Sequence, residues 1–158
     1  MKRIVVGISG ASGTHLACRF ISQLKQYTEC EVHVVVTDSG RLTASYEEPE
    51  LFDKALALAD NVHSNASLGE SIASGTFKTE GMVIIPCSMK TVAGIASGYS
   101  DNLLLRAADV TLKEQRPLVL VARETPMNAI HLRNLAQLAS VSGITLMPPM
   151  MTLSLIHI

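Results

Sequence analysis

Short apolar runs rich in β-branched residues, helical repeats between them, and small residues where each run stops predict a three-layer α/β fold. The expected core is a parallel sheet with helices on both faces. Two observations carry this expectation. Residues 4–8 lead through Ser9-Gly10-Ala11-Ser12-Gly13 into Leu16, Ala17, Phe20, Ile21 and Leu24 at helical spacing, and then into a second run at 32–36. The opening therefore reads strand, glycine-rich loop, helix, strand. The same alternation returns downstream, which is the signature of a Rossmann-like (flavodoxin-like) sheet.

The elements follow in order. Residues 82–85 and 118–121 are short enough and apolar enough to be buried strands, and 102–114 and 127–139 carry helical patterning. Thr125-Pro126 is expected to open the last helix, because proline in the first helical position gives up no needed hydrogen bond. Residues 143–147 make a fifth strand, which Pro148-Pro149 ends. Between 47 and 79 the pattern is weaker: 51–59 suits a helix, while 61–75 is polar, rich in serine and expected to be mainly loop. Binding is expected at the carboxyl ends of the strands.

Composition narrows the function classes. The chain has 158 residues, 47% hydrophobic and 17% charged, enough for one core at 1–150 and too few for two domains. A formal net charge of -1 with both signs interspersed gives no basic surface for nucleic acid. Cys18, Cys30 and Cys87 are far apart in sequence and include no C-x-x-C pair, so reduced thiols and a cytoplasmic setting are expected rather than a disulfide framework or a zinc site. No apolar run reaches the roughly 18 residues that span a bilayer.

Two loops carry the polar chemistry. Gly10, Ser12 and Gly13 sit where a strand turns into a helix, where backbone N–H groups, a hydroxyl and the helix dipole converge on an anion. The spacing Gly7-x-x-Gly10-x-x-Gly13 departs from G-x-G-x-x-G and is nearer the variant of some nicotinamide-dependent reductases. Asp38 even stands where a dinucleotide ribose would be held. Yet Tyr27, Tyr46 and Tyr99 lack the lysine four residues on that a short-chain reductase needs, so that reading ranks second. The other loop, Pro86-Cys87-Ser88-Met89-Lys90-Thr91, again follows a strand with hydroxyl residues, and two such cradles suit a mononucleotide. Lys90 is either part of that cradle or a solvated charge, and Cys87 reads as a packing residue.

Arg106 and Lys113 are seven apart on one helix face, and Arg123 follows the next strand with Glu124 beside it. Brought together, three cations would neutralise a departing phosphate, and the carboxylate would relay a proton. The alternative is surface pairing, for which Asp109 and Lys113 have helical spacing. The five histidines show no metal-ligand spacing, and His131 is placed on the helix face that meets the sheet.

Taken together, Gly10-Ala11-Ser12-Gly13, the loop 86–91, Arg106-Ala107-Ala108-Asp109-Val110 with Leu112-Lys113-Glu114, and the run from Pro117 to Thr125-Pro126 resemble the UbiX-type flavin prenyltransferases. The resemblance implies a metal-independent transfer of a dimethylallyl group from dimethylallyl phosphate to reduced FMN, giving prenylated FMN for a UbiD-type decarboxylase. Related alternatives are a flavin-dependent cysteine decarboxylase and a non-catalytic FMN carrier. By position, Ala11, Ser12, Gly13, Thr37, Ser88, Met89, Lys90, Thr91 and Arg123 match the residues that contact FMN. Arg106, Lys113 and Glu124 match the prenyl-phosphate end, Glu47 matches an acidic residue near the flavin, and Ser12 and Glu124 would assist phosphate departure. The resemblance also implies a homo-oligomer, dodecameric in the family, with sites between subunits. Beyond Pro149 the family continues into an aromatic loop and a helix that supplies a Tyr and an Arg. Leu153-Ser154-Leu155-Ile156-His157-Ile158 does not resemble that segment, so 151–158 is expected to be a truncated or non-native tail.

Overall fold

Burial of period two along the strands sets the architecture, which a computed structural model describes for residues 1–150. The expected truncated tail at 151–158 lies outside the described residues. In β1 (Arg3–Ile8) Val6 and Ile8 face one side of the sheet and Val5 the other; in β2 (Glu31–Val36) Val32, Val34 and Val36 oppose Val35. Strands that are apolar on both faces must be covered on both. On one side α1 (Thr14–Tyr27) and α3 (Pro49–Leu58) supply Ala17, Ile21 and Phe52. On the other, α4 (Met89–Ser97), α5 (Leu103–Lys113) and α6 (Ala129–Ala139) supply Val92, Leu104 and Leu138. Leu104 and Leu120 are fully buried, and each such side chain contributes about 1.5–3 kcal/mol.

The sheet has six parallel strands in the order β3-β2-β1-β4-β5-β6, with β3 at Asn61–Ser64, β4 at Gly81–Cys87, β5 at Leu118–Ala122 and β6 at Ile144–Leu146. The chain winds outward from β1, then crosses back to β4. A crevice therefore opens between β1 and β4 at their carboxyl ends.

Three features differ from expectation. Residues 61–75 are loop over more than half their length, but they also hold an unassigned strand, β3, and a single 3-10 turn, Ser71–Ala73. This edge strand was hidden because only His63 of its four residues is buried. A polar helix, α2 (Asp38–Glu47), also lies where no element was assigned, and it buries only Gly40 and Ala44. Finally, α6 begins at Ala129 under an Asn128 cap, so Pro126 stands in the preceding turn instead of opening the helix. His131 completes that cap, its Nδ1 accepting the Asn128 N–H at 3.3 Å, and so is committed to the helix start rather than to the sheet.

The edge strand is tied down by a buried imidazole pair. His33 Nδ1 and His63 Nε2 are 2.9 Å apart, the rings stack, and His63 Nδ1 lies 2.9 Å from Glu70. Glu31 is 3.1 Å from His33 Nε2 but misaligned for a hydrogen bond. Burial pushes the His33 imidazole down, against the pull of Glu31. Among the described residues no helix is long and apolar enough to cross a membrane.

Candidate functional site

The strand ends are stitched to one another along one edge. Thr37 N–H donates to Ile8 O at 3.0 Å, joining the end of β2 to β1, and Arg123 N–H donates to Cys87 O at 3.1 Å, joining β5 to β4. Ser9, which sequence reasoning passed over, bridges the centre: its hydroxyl donates to Pro86 O at 3.0 Å and accepts Ser88 N–H at 2.8 Å. Thr37, Ser9, Ser88 and Arg123 thus lie along one polar rim at the strand ends.

The glycine-rich turn is partly engaged within the chain, while the Ser12 N–H has no partner among the described residues. Gly13 caps α1 with φ 105°, a left-handed conformation that favours glycine, and Gly10 leaves room for Ser39, whose Cβ would stand 2.6 Å from an added methyl group. The N–H groups at the start of α1 already have an anion. Glu47, at the end of α2, accepts Gly13 N–H at 3.0 Å, Thr14 N–H at 2.8 Å and the Thr14 hydroxyl at 2.7 Å. A carboxylate from the chain itself fills the position where a dinucleotide's pyrophosphate would sit. Ser12, half-buried beside it, makes no side-chain hydrogen bond among the described residues.

The second cradle is open. Ser88 caps α4, its Oγ accepting Thr91 N–H at 3.4 Å, and Thr91 is buried at its side. The Met89 and Lys90 N–H groups make no hydrogen bond among the described residues, and the Lys90 ammonium is exposed and unpaired among them. The Met89 side chain packs into the core and leaves its backbone for a ligand. Lys90 borders a crevice of about 440 Å³ shared with Thr37, Asp38, Ser39, Asn65, Ala66, Asp101 and Asn102. Pockets that hold small cofactors span about 300–1,000 Å³. An open helix start beside a free lysine, in a crevice of that size, fits a flavin mononucleotide.

A smaller crevice of about 220 Å³ adjoins the end of β5, lined by Arg123, Glu124, Thr125, Met127, Pro148 and Pro149. The Arg123 guanidinium makes no hydrogen bond or ion pair among the described residues. Arg106 and Lys113 do not join it within this chain. The α5 helix starts at the rim, where Leu103 and Leu104 meet Asn65, and ends ten residues later, about 15 Å away, beside Gly75 at the opposite edge of the sheet. There Lys113 pairs with Glu114; nearer the start of α5, Arg106 pairs with Asp109 at 2.8 Å, so the Asp109–Lys113 pair expected from spacing does not form.

The thiols take no part. Burial raises Cys87 strongly and pushes Cys18 up to about 11, whereas Cys30 is only half-buried. Iodoacetamide at neutral pH is expected to label Cys30 well ahead of Cys18 and Cys87, as read by peptide mass spectrometry; equal labelling of Cys87 would contradict its packing role.

A doubly wound sheet with an open hydroxyl-capped helix start at its switch point defines a mononucleotide-binding α/β protein. Residues 1–157 match the family model described as Flavoprotein. A probable UbiX-like flavin prenyltransferase of Sedimentibacter hydroxybenzoicus is 49% identical over 150 residues, 95% of this chain and 79% of that protein. The crystal structure of a dodecameric FMN-dependent UbiX-like decarboxylase from Escherichia coli O157:H7 superposes with a TM-score of 0.89 at 44% identity, covering 94% of this chain and 80% of that one. AnUbiX, crystallised in complex with FMN and dimethylallyl pyrophosphate, gives a TM-score of 0.89 at 42% identity, covering 94% and 78%. The chain belongs to the flavoprotein family and, within it, to the UbiX-type flavin prenyltransferases.

Proposed function

We propose that this chain transfers a dimethylallyl group from dimethylallyl phosphate to reduced FMN. The observation that supports it best is the presence of two crevices at the carboxyl ends of the strands, one bordered by Thr37 and Lys90 and the other by Arg123 and Glu124. Bound FMN supplies the nucleophilic ring. The protein's part is to place the two ligands together and to stabilise the charge that grows on the leaving phosphate. In this reading Ser88, Thr91, Lys90 and the open start of α4 hold the FMN phosphate, while Asp38 disfavours it at the start of α2. Ala11 and Gly13 shape the turn, Glu47 fixes it, and Ser12 is thereby presented to the rim. Arg123 neutralises the departing phosphate and Glu124 donates a proton to it.

Arg106 and Lys113 then act across a subunit boundary. The dodecameric relative supports a homo-oligomer, and in our reading a neighbour in it supplies these two cations. The product would serve a UbiD-type decarboxylase, and we place the reaction in the cytoplasm. Mass spectrometry of the flavin recovered after anaerobic incubation with reduced FMN and dimethylallyl phosphate tests the reading. A prenyl-sized mass gain is expected; flavin bound but unchanged would make this chain an FMN carrier instead.

A further inference from the structure

We propose that Asn65 is an FMN-binding residue whose side-chain amide has two divided tasks: its oxygen fixes the start of α5, and its NH2 group donates into the crevice. This rests on the reading of the crevice as the flavin site. Asn65 lines that crevice together with Thr37 and Lys90, on the wall formed by the segment after β3. Its backbone oxygen accepts Leu103 N–H at 2.9 Å and its Oδ1 accepts Leu104 N–H at 3.0 Å. Because a backbone N–H can only donate, the amide oxygen must be the atom facing α5, and the NH2 group is turned the other way. Among the described residues Nδ2 has no partner.

The neighbours are already committed. Asn102 uses its oxygen to accept Leu105 N–H at 3.0 Å and its NH2 group to bond Asp101 at 3.1 Å. The Thr37 hydroxyl accepts Gly40 N–H at 3.0 Å and lies 3.2 Å from the Ser39 hydroxyl. Asn65 therefore holds the free amide donor among the described residues lining the crevice. It is also rigidly held: two residues earlier His63 is clamped between His33 and Glu70, and the helix start that it caps carries Leu104 into the core. With the phosphate seated at Lys90 and the start of α4, the opposite wall meets the uncharged part of the flavin. A neutral NH2 donor there suits a ring carbonyl or a ribityl hydroxyl, and a fixed donor gives up little freedom on binding.

Two variants separate the tasks. Asn65→Asp keeps an oxygen for Leu104 N–H and places an anion at a helix start, so its melting temperature should match that of the unaltered chain. It lacks the donor, so the FMN dissociation constant, read by fluorescence titration, should rise about tenfold or more. The rise should persist at high salt, where repulsion of the FMN phosphate is screened. Asn65→Ala loses both tasks and should both melt lower and bind FMN more weakly. An Asn65→Asp chain that binds FMN within about twofold of the unaltered chain at high salt, or melts as low as Asn65→Ala, overturns the assignment. Failure of the unaltered chain to bind FMN would instead remove the flavin reading, and this proposal with it.

Discussion

Prenyl transfer by an Arg123→Ala chain is expected to fall about 10²–10³-fold, the range seen when one group that stabilises transition-state charge is removed. The fold should survive, because the Arg123 side chain bonds nothing else among the described residues and only its backbone N–H joins β5 to β4. The fall should appear mainly in turnover, since an allylic C–O bond breaks only as charge gathers on the phosphate oxygen. Arg123→Lys should recover part of the rate: it restores the charge but not the planar fork that grips two oxygens at once. Initial rates at saturating FMN, set beside thermal melts, check this. Rates within threefold of the unaltered chain would remove Arg123 from the leaving-group end.

Glu47→Ala is the second large effect, and it falls on stability first. Two backbone N–H groups and a hydroxyl lose their acceptor at the start of α1, which costs about 2–3 kcal/mol and lowers the melting temperature by about 5–10 °C. The effect depends on pH in a defined direction. Burial pushes the Glu47 carboxyl up, but the Thr14 hydroxyl and the Thr14 and Gly13 N–H groups outweigh it and hold the group below the ordinary carboxylate range. Such a group stabilises the fold fully above the unfolded carboxyl pKa of about 4.3, and its contribution is lost as pH falls through the lower folded value. The gap in melting temperature between Glu47→Ala and the unaltered chain should therefore be widest near neutrality and close below about pH 4. A gap that stays constant with pH would show that the carboxylate charge is not what holds the turn.

The sequence was most readable where burial imposes a period. Val32, Val34 and Val36 set against Val35 announce a strand buried on both faces, and Leu103 to Lys113 announces a helix. Elements that bury little left no such trace: β3 rests on His63, and α2 on Gly40 and Ala44. The open cradle was legible because hydroxyl residues following a strand are a local signal. The pairing of Glu47 with Gly13 spans 34 residues and has no local signal, so nothing in the turn itself showed that one of its N–H groups was already engaged. The cation cluster does not form within one chain, for a directional reason. Helical spacing puts Arg106 and Lys113 on one face, but α5 runs back against the strands and carries Lys113 away from the rim.

The carboxylate at the head of α1 also sets the competition that any anion meets at this turn. A free phosphate or nucleotide reaching the turn must displace a rival tethered to the same molecule, whose effective concentration is about millimolar or higher and does not fall when the surroundings are diluted. A dinucleotide would thus meet a turn in which the Gly13 and Thr14 N–H groups are already engaged by a side chain of the same molecule.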